Sequence, residues 1–297
     1  TSTAASGFGD RMIMLAALAL LGGLTMSAES TALTAATQFW FFLPYLGFSL
    51  LGGWLADKLP RKWVMLGCDE TRGLILLWAY FALAAASGLA VLPEERWWQV
   101  YAVLAAAGAC AAVFNPSRTA IVPQIVNRDQ LQPANAVVLV INVAFSMIGM
   151  VVGTRIISQD DATSVRTGLL IGALFYLVSG TFFAFMKPRT TGLGAGGSNE
   201  KRLAVGPGKL LRYVFAHKRV LSLILAELFV WGVAATSVAS SIMGLCKVRY
   251  GLAGDELFAT YGMLSATLGV GMLVGAALVV LIRTRKEATL VITLAFV

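Results

Sequence analysis

Gly53-Trp54-Leu55-Ala56-Asp57-Lys58-Leu59-Pro60-Arg61-Lys62 is a short charged turn between two long apolar runs. The run before it spans about residues 35–56, and the run after it about 63–92. Each is long enough to cross a ~30 Å hydrocarbon core as a helix, which takes about 20 residues. A tight turn with one acid and three bases then sits where such helices re-enter water. The acid can face a helix N-terminus, and the bases can reach phosphate headgroups or carboxylates.

The rest of the chain repeats this pattern. Apolar residues make up 58% of the 297 and charged residues only 13%, with a mean hydropathy of +0.78. A soluble globule carries about 25% charged residues, so most of this surface faces something other than water. The apolar segments fall at about 6–26, 35–56, 63–92, 97–114, 134–157, 167–186, 220–244 and 257–282. Residues 288–297 begin a ninth, and the chain looks trimmed at both ends. Lipid cannot satisfy open backbone groups, and the alternating pattern of a barrel is absent. The expected fold is all-α and polytopic, with about eight complete transmembrane helices forming part of a larger bundle. The expected organisation is a six-helix bundle over 1–186, a basic linker over 187–219 and a partial second bundle over 220–297.

The net charge of +8 follows the loops rather than a nucleic-acid-binding face. Sixteen of the 23 basic residues fall in alternate connections. These are Lys58, Arg61 and Lys62; Arg118 and Arg128; eight within 187–219; and Arg283, Arg285 and Lys286. The opposite connections hold Arg96, Arg155, Arg166, Lys247 and Arg249. Basic residues accumulate on the cytoplasmic side, so the 2–3 and 6–7 loops are expected there, in an inner (cytoplasmic) membrane. No basic patch with interleaved aromatics supports nucleic-acid binding. The linker's Gly192-Leu-Gly194-Ala-Gly196-Gly197 has no preceding strand to make it a nucleotide loop. His217, the sole histidine, is expected to face solvent or headgroups. Cys68, Cys110 and Cys246 have no metal or disulfide spacing and read as small buried hydrophobes. No catalytic constellation, cofactor motif or metal cluster is present, so an enzyme is not expected.

The turn resembles the 2–3 loop of the major facilitator superfamily, G-x-L-A-D-[RK]-x-G-[RK]-[RK]. Gly53, Leu55, Ala56, Asp57, Lys58, Arg61 and Lys62 match it, and Pro60 replaces the second glycine. The resemblance implies that this loop, Asp57 and Arg61 above all, latches the two halves of the molecule and gates alternating access. Gly9-Asp10, Asp69-x-x-Arg72, Phe114-Asn115-Pro116-Ser117-Arg118, Ile121-Val122-Pro123 and Ala134-Asn135-Ala136 are similar to the exporter branch. That branch includes macrolide and siderophore exporters and lysophospholipid transporters. Phe42-Leu43-Pro44-Tyr45 with Ala56–Lys62 is most similar to the lysophospholipid type. Gly149-x-x-x-Gly153 lacks the proline of the antiporter motif in helix 5. The implied activity is ion-gradient-driven export or flipping of an amphipathic solute. The implied partners are membrane lipid and that solute, with no nucleic acid. The alternative is a non-transporting scaffold or half-transporter within a larger membrane complex.

Charge inside the apolar runs gives a second line of argument. A buried carboxylate or guanidinium is costly unless paired, protonated or hydrated, and so tends to mark a route. Asp10 and Arg11 in helix 1 and Glu227 in helix 7 are candidate ion or substrate groups lining a central cavity. The structural alternative is a helix–helix salt bridge for each. Asp69 and Arg72 are three apart on helix 3, share a face and can pair. Asn115 and Arg118 are expected at the end of helix 4, and Glu29 near the outer end of helix 1. Phe39, Trp40 and Tyr45 face lipid or the cavity, and Trp63, Trp97, Trp98 and Tyr101 fit an interfacial aromatic belt. The pairs Gly149/Gly153, Gly168/Gly172 and Gly271/Gly275 are spaced for close helix packing.

Overall fold

The structure is a computed structural model that describes residues 2–22, 29–85, 92–127, 130–158, 161–186, 207–218, 220–222, 225 and 235–281. Every regular element among them is helical. In chain order these are α1 (Ser2–Leu20), α2 (Glu29–Phe42), α3 (Tyr45–Lys58), α4 (Arg61–Ala85), α5 (Trp97–Ile121), α6 (Leu131–Ile156), α7 (Ala162–Phe185), α8 (Pro207–Ala216), α9 (Ala235–Val248) and α10 (Gly254–Leu281).

Among the described residues, four helical stretches are long and apolar enough to cross a membrane: Glu94–Gln124, Pro133–Ile156, Ala162–Phe185 and Gly254–Gly275. The expected count of about eight is thus met in part. α1 and α4 carry the intramembrane charges Asp10, Arg11, Asp69, Glu70 and Arg72, which dilute their apolar character. The expected second span is divided into α2 and α3, of 14 residues each. Pro44 divides it, because proline has no N–H to continue the ladder. Its own dihedrals stay helical at φ −62° and ψ −21°, and the Phe48 amide bonds to the Pro44 carbonyl at 2.8 Å.

α1 is the buried axis. Its side chains from Met12 to Leu21 are almost all withdrawn from the surface, packed on α6 and α7. Small residues on the partners permit the approach. A Cβ on Gly149 would stand 3.1 Å from the Phe8 carbonyl oxygen, and one on Gly172 the same distance from Met12 Cβ. Among the described residues, nothing lies within 4 Å of a Cβ placed on Gly271 or Gly275. α4 packs on α7 and α5, α3 and α2 on α5, α9 on α2, and α10 on α6 and α9.

The turn Leu59–Pro60 joins α3 to α4. Leu59 is extended at φ −102°, ψ 156°, as the residue before a proline prefers. The Pro60 carbonyl then accepts from the Trp63 amide at 2.9 Å, opening α4. The proline that replaces the family's glycine therefore starts a helix. α5 runs to Ile121 through Pro116, seven residues past the expected end at Phe114, so Asn115 and Arg118 lie inside its last two turns. Glu29 opens α2 rather than closing helix 1, and its side chain lies outside the described residues. Glu227, Arg128, the Gly-rich stretch 190–198 and residues 288–297 also lie outside them.

Candidate functional site

Three helices, α1, α4 and α7, converge on Arg72. α4 places Asp69 and Arg72 one turn apart, and both are buried, at 0% and 1% exposed. α1 contributes Ser6 and Asp10, and α7 contributes Tyr176 and Ser179, again one turn apart. Close backbone approach makes this reach possible. A Cβ on Gly9 would lie 2.8 Å from the Tyr176 ring, so the glycine lets α7 bring its phenol alongside Asp10. On the α4–α7 side, Gly73 gives the same clearance to Leu177.

The guanidinium is held on several sides. Arg72 Nη1 donates to Asp10 Oδ1 at 2.9 Å. Nη2 donates to Ser6 Oγ at 2.9 Å and also to Asp69 Oδ1. Ser6 Oγ donates in turn to Asp69 Oδ1 at 3.3 Å. Ser179 Oγ donates to Asp69 Oδ2, and Tyr176 Oη donates to Asp10 Oδ1 at 2.5 Å. The rings of Tyr176 and Phe114 flank the guanidinium at 4.6 and 4.9 Å, where the π-face stabilises a desolvated cation. Arg72 Nε is buried with no partner among the described residues.

Two carboxylates share this one cation. Asp69 is sealed, whereas the Asp10 side chain is 30% exposed. Both contacts to Asp10 use Oδ1, and Oδ2 accepts no bond among the described residues. The sequence places Asp69 and Arg72 on one helix face, and in the structure the two are in contact. The sequence leaves Asp10 open between a cavity role and a salt bridge. The structure gives Asp10 the salt bridge to Arg72 and also keeps part of it accessible. Arg11 faces elsewhere, with Nη1 3.9 Å from Met14 Sδ and electrostatic reach to buried Tyr261 of α10. Ser6, Tyr176 and Ser179 were missed. Their signals, a Tyr and a Ser three apart on an apolar helix and a Ser one turn before Asp10, are common in membrane helices.

The charged turn forms a second cluster at the end of the bundle. Arg61 Nη1 donates to the Ala120 carbonyl at 2.5 Å, and Nε donates to the Ala56 carbonyl at 3.4 Å. Both acceptors lie in last helical turns, where carbonyls lack helical partners and carry partial negative charge. Through these two carbonyls Arg61 ties α3 to α5. Lys58 Nζ lies 4.2 Å from the Trp54 ring centroid and Lys62 Nζ 5.1 Å from that of Trp63. A cavity of about 310 Å³ opens beside Lys58, Arg61, Lys62 and Gln124. Gly53 is open to substitution, with nothing within 4 Å of its Cβ position. The Asp57 side chain lies outside the described residues. Asn115 and Arg118 are half-buried on the α5 turns that carry Arg61's acceptor.

The aromatic expectations resolve outward. Phe39, Trp63 and Trp98 are more than half exposed, as lipid-facing and belt residues are. Trp40 stacks on Tyr101 with centroids 5.6 Å apart. The Tyr45 side chain lies outside the described residues.

Apolar helices packed around a buried ionic core define a multi-pass membrane protein of the helical-bundle class. The sequence profile of the Major Facilitator Superfamily matches residues 1–297, and the chain belongs to that family of secondary transporters. Among curated proteins, none matches the chain.

Proposed function

We propose that the chain is an ion-gradient-driven transporter that exports or flips an amphipathic solute, with a lysophospholipid-like molecule favoured over a drug or siderophore. Residues 1–186 form one six-helix bundle in this reading, 187–219 the linker and 220–297 the start of the second bundle. The bundles alternate access across the inner membrane, with the 2–3 and 6–7 loops cytoplasmic. Gly53, Asp57, Lys58, Arg61 and Lys62 gate that exchange, and Asn115 and Arg118 stand at the same end. Asp10 lines the central cavity in this reading, and Glu227 is its candidate counterpart from the second bundle.

One observation carries the reading: two carboxylates, Asp10 and Asp69, are held on the single guanidinium of Arg72. The group is one negative charge in excess, and Asp10 is its accessible member. An excess buried charge invites a proton or a small cation, and binding one changes the ion pair that fastens α1 to α4. That is how an ion gradient would bias a conformational equilibrium.

The test is flux in proteoliposomes of the full-length protein under an imposed proton or sodium gradient. Gradient-dependent movement of lysophospholipid is the expected result. Movement of drugs alone would reassign the substrate. Folded protein that moves neither would leave the scaffold role.

A further inference from the structure

The ten residues of α8, Pro207-Gly-Lys-Leu-Leu-Arg-Tyr-Val-Phe-Ala216, divide cleanly around a helix. At 100° per residue, Leu210, Leu211, Val214 and Phe215 fall on one side, and Lys209 and Arg212 on the other. Phe215, on the apolar side, is 67% exposed, so the described residues leave that edge of the face open. A helix of this length is marginal in water on its own, and its apolar side needs a partner.

The surroundings identify the partner. Between residues 200 and 219 stand Lys201, Arg202, Lys209, Arg212, Lys218 and Arg219 against the single acid Glu200. Arg212 and Lys218 are exposed. α8 adjoins α3, whose end carries exposed Lys58 over the Trp54 ring, a pairing typical of the membrane–water boundary. His217 stacks on Tyr213 with centroids 4.0 Å apart and bonds its carbonyl through Nδ1 at 2.9 Å, which finishes the helix before Lys218.

We propose that α8 lies flat in the membrane interface, on the side where the α3–α4 turn emerges, held by anionic phospholipid headgroups. Its apolar face enters the acyl boundary, and Lys209, Arg212 and the flanking bases pair with headgroup phosphates. Such helices bind through buried apolar area together with attraction to anionic lipid. Seated in this way, α8 ties the segment between α7 and α9 to the bilayer surface and makes its position depend on headgroup charge. The inference needs only a membrane-embedded protein, and it stands whichever solute is carried.

The experiment uses the full chain with Phe215→Cys in a background where Cys68, Cys110 and Cys246 are replaced by alanine. An environment-sensitive fluorophore is attached to the introduced thiol. Should the alanine replacements impair folding, the native cysteines stay, and signal from the unmodified chain labelled in parallel is subtracted. The protein is reconstituted in phosphatidylcholine alone and in an equimolar mixture with phosphatidylglycerol. Blue-shifted emission and quenching by brominated acyl chains are expected in the mixture. Both should weaken at high salt, where screening shortens to about 3 Å at 1 M. Lys209→Gln and Arg212→Gln should each lower the ratio of embedded to free helix about fivefold. Arg249→Gln, at the far end of α9, should leave the ratio unchanged. Emission that is identical in the two lipid mixtures and indifferent to salt would overturn the proposal, whether the probe reads wet or dry.

Discussion

Arg72 Nη1 stands 2.9 Å from Asp10 Oδ1, bridging α4 and α1 with both backbones fixed by packing on α7. The pair joins a buried cation to a carboxylate that is still partly open. Its geometry constrains both stability and exchange, and the two roles separate by substitution.

Replacing Arg72 with glutamine removes the cation from Asp69, which is fully buried. Breaking a buried ion pair from one side costs about 3–5 kcal/mol, because the remaining charge is uncompensated. The apparent unfolding temperature in detergent should fall sharply. Arg72→Lys should recover little, since an ammonium cannot span Asp10, Asp69 and Ser6 as the planar fork does. An unchanged melting curve for Arg72→Gln would mean that the ion pair is not formed.

Asp10→Asn should behave differently. The amide keeps an acceptor for Tyr176 Oη and Arg72 Nη1, and the cluster becomes neutral overall. Folding should survive, with a melting temperature close to the parent's. Gradient-driven accumulation of solute in proteoliposomes should be lost, while exchange without a gradient persists. Full coupled transport by the asparagine variant would remove Asp10 from the ion route.

How much of this was visible beforehand depends on distance along the chain. The spans over 94–124, 133–156, 162–185 and 254–275 were legible because each is a long apolar run. Asp69 and Arg72 were legible as a pair because helical spacing puts positions three apart on one face. The ties from Arg72 to Asp10, from Tyr176 to Asp10 and from Ser179 to Asp69 cross 62, 166 and 110 residues. No local period connects such positions, and the packing of α1 and α4 on α7 joins them. The split at Pro44 and the continuation through Pro116 went unread for a related reason. A proline's effect on a membrane helix depends on neighbours that can accept the freed groups.

Gly9 tests whether close approach builds the site. Gly9→Ala puts a methyl within 2.8 Å of a Tyr176 ring that has no exposed surface to move into. Overpacking of this kind costs about 1–3 kcal/mol. Gly67→Ala on α4 meets nothing within 4 Å and should be neutral or stabilising, since glycine inside a helix costs about 0.8–1 kcal/mol relative to alanine. Thermal unfolding of the two variants side by side checks this. Equal losses would point to a general intolerance of substitution rather than to the α1–α7 contact.

The turn between α3 and α4 offers the last test. Arg61 bonds the backbone carbonyls of Ala120 and Ala56, whereas Lys58 and Lys62 rest on tryptophan rings. Arg61→Ala should therefore free the turn from α5, and Lys58→Ala should not. Limited trypsin digestion reads the difference at Lys62, which both variants retain. Cleavage there should rise several-fold in Arg61→Ala and stay near the parent's rate in Lys58→Ala. Arg61→Lys should fall between, because one ammonium can hold the Ala120 carbonyl but not both acceptors at once. Equal cleavage in all three would show that the carbonyl bonds do not hold the turn, and a latch at this end of the bundle would have to act through other groups.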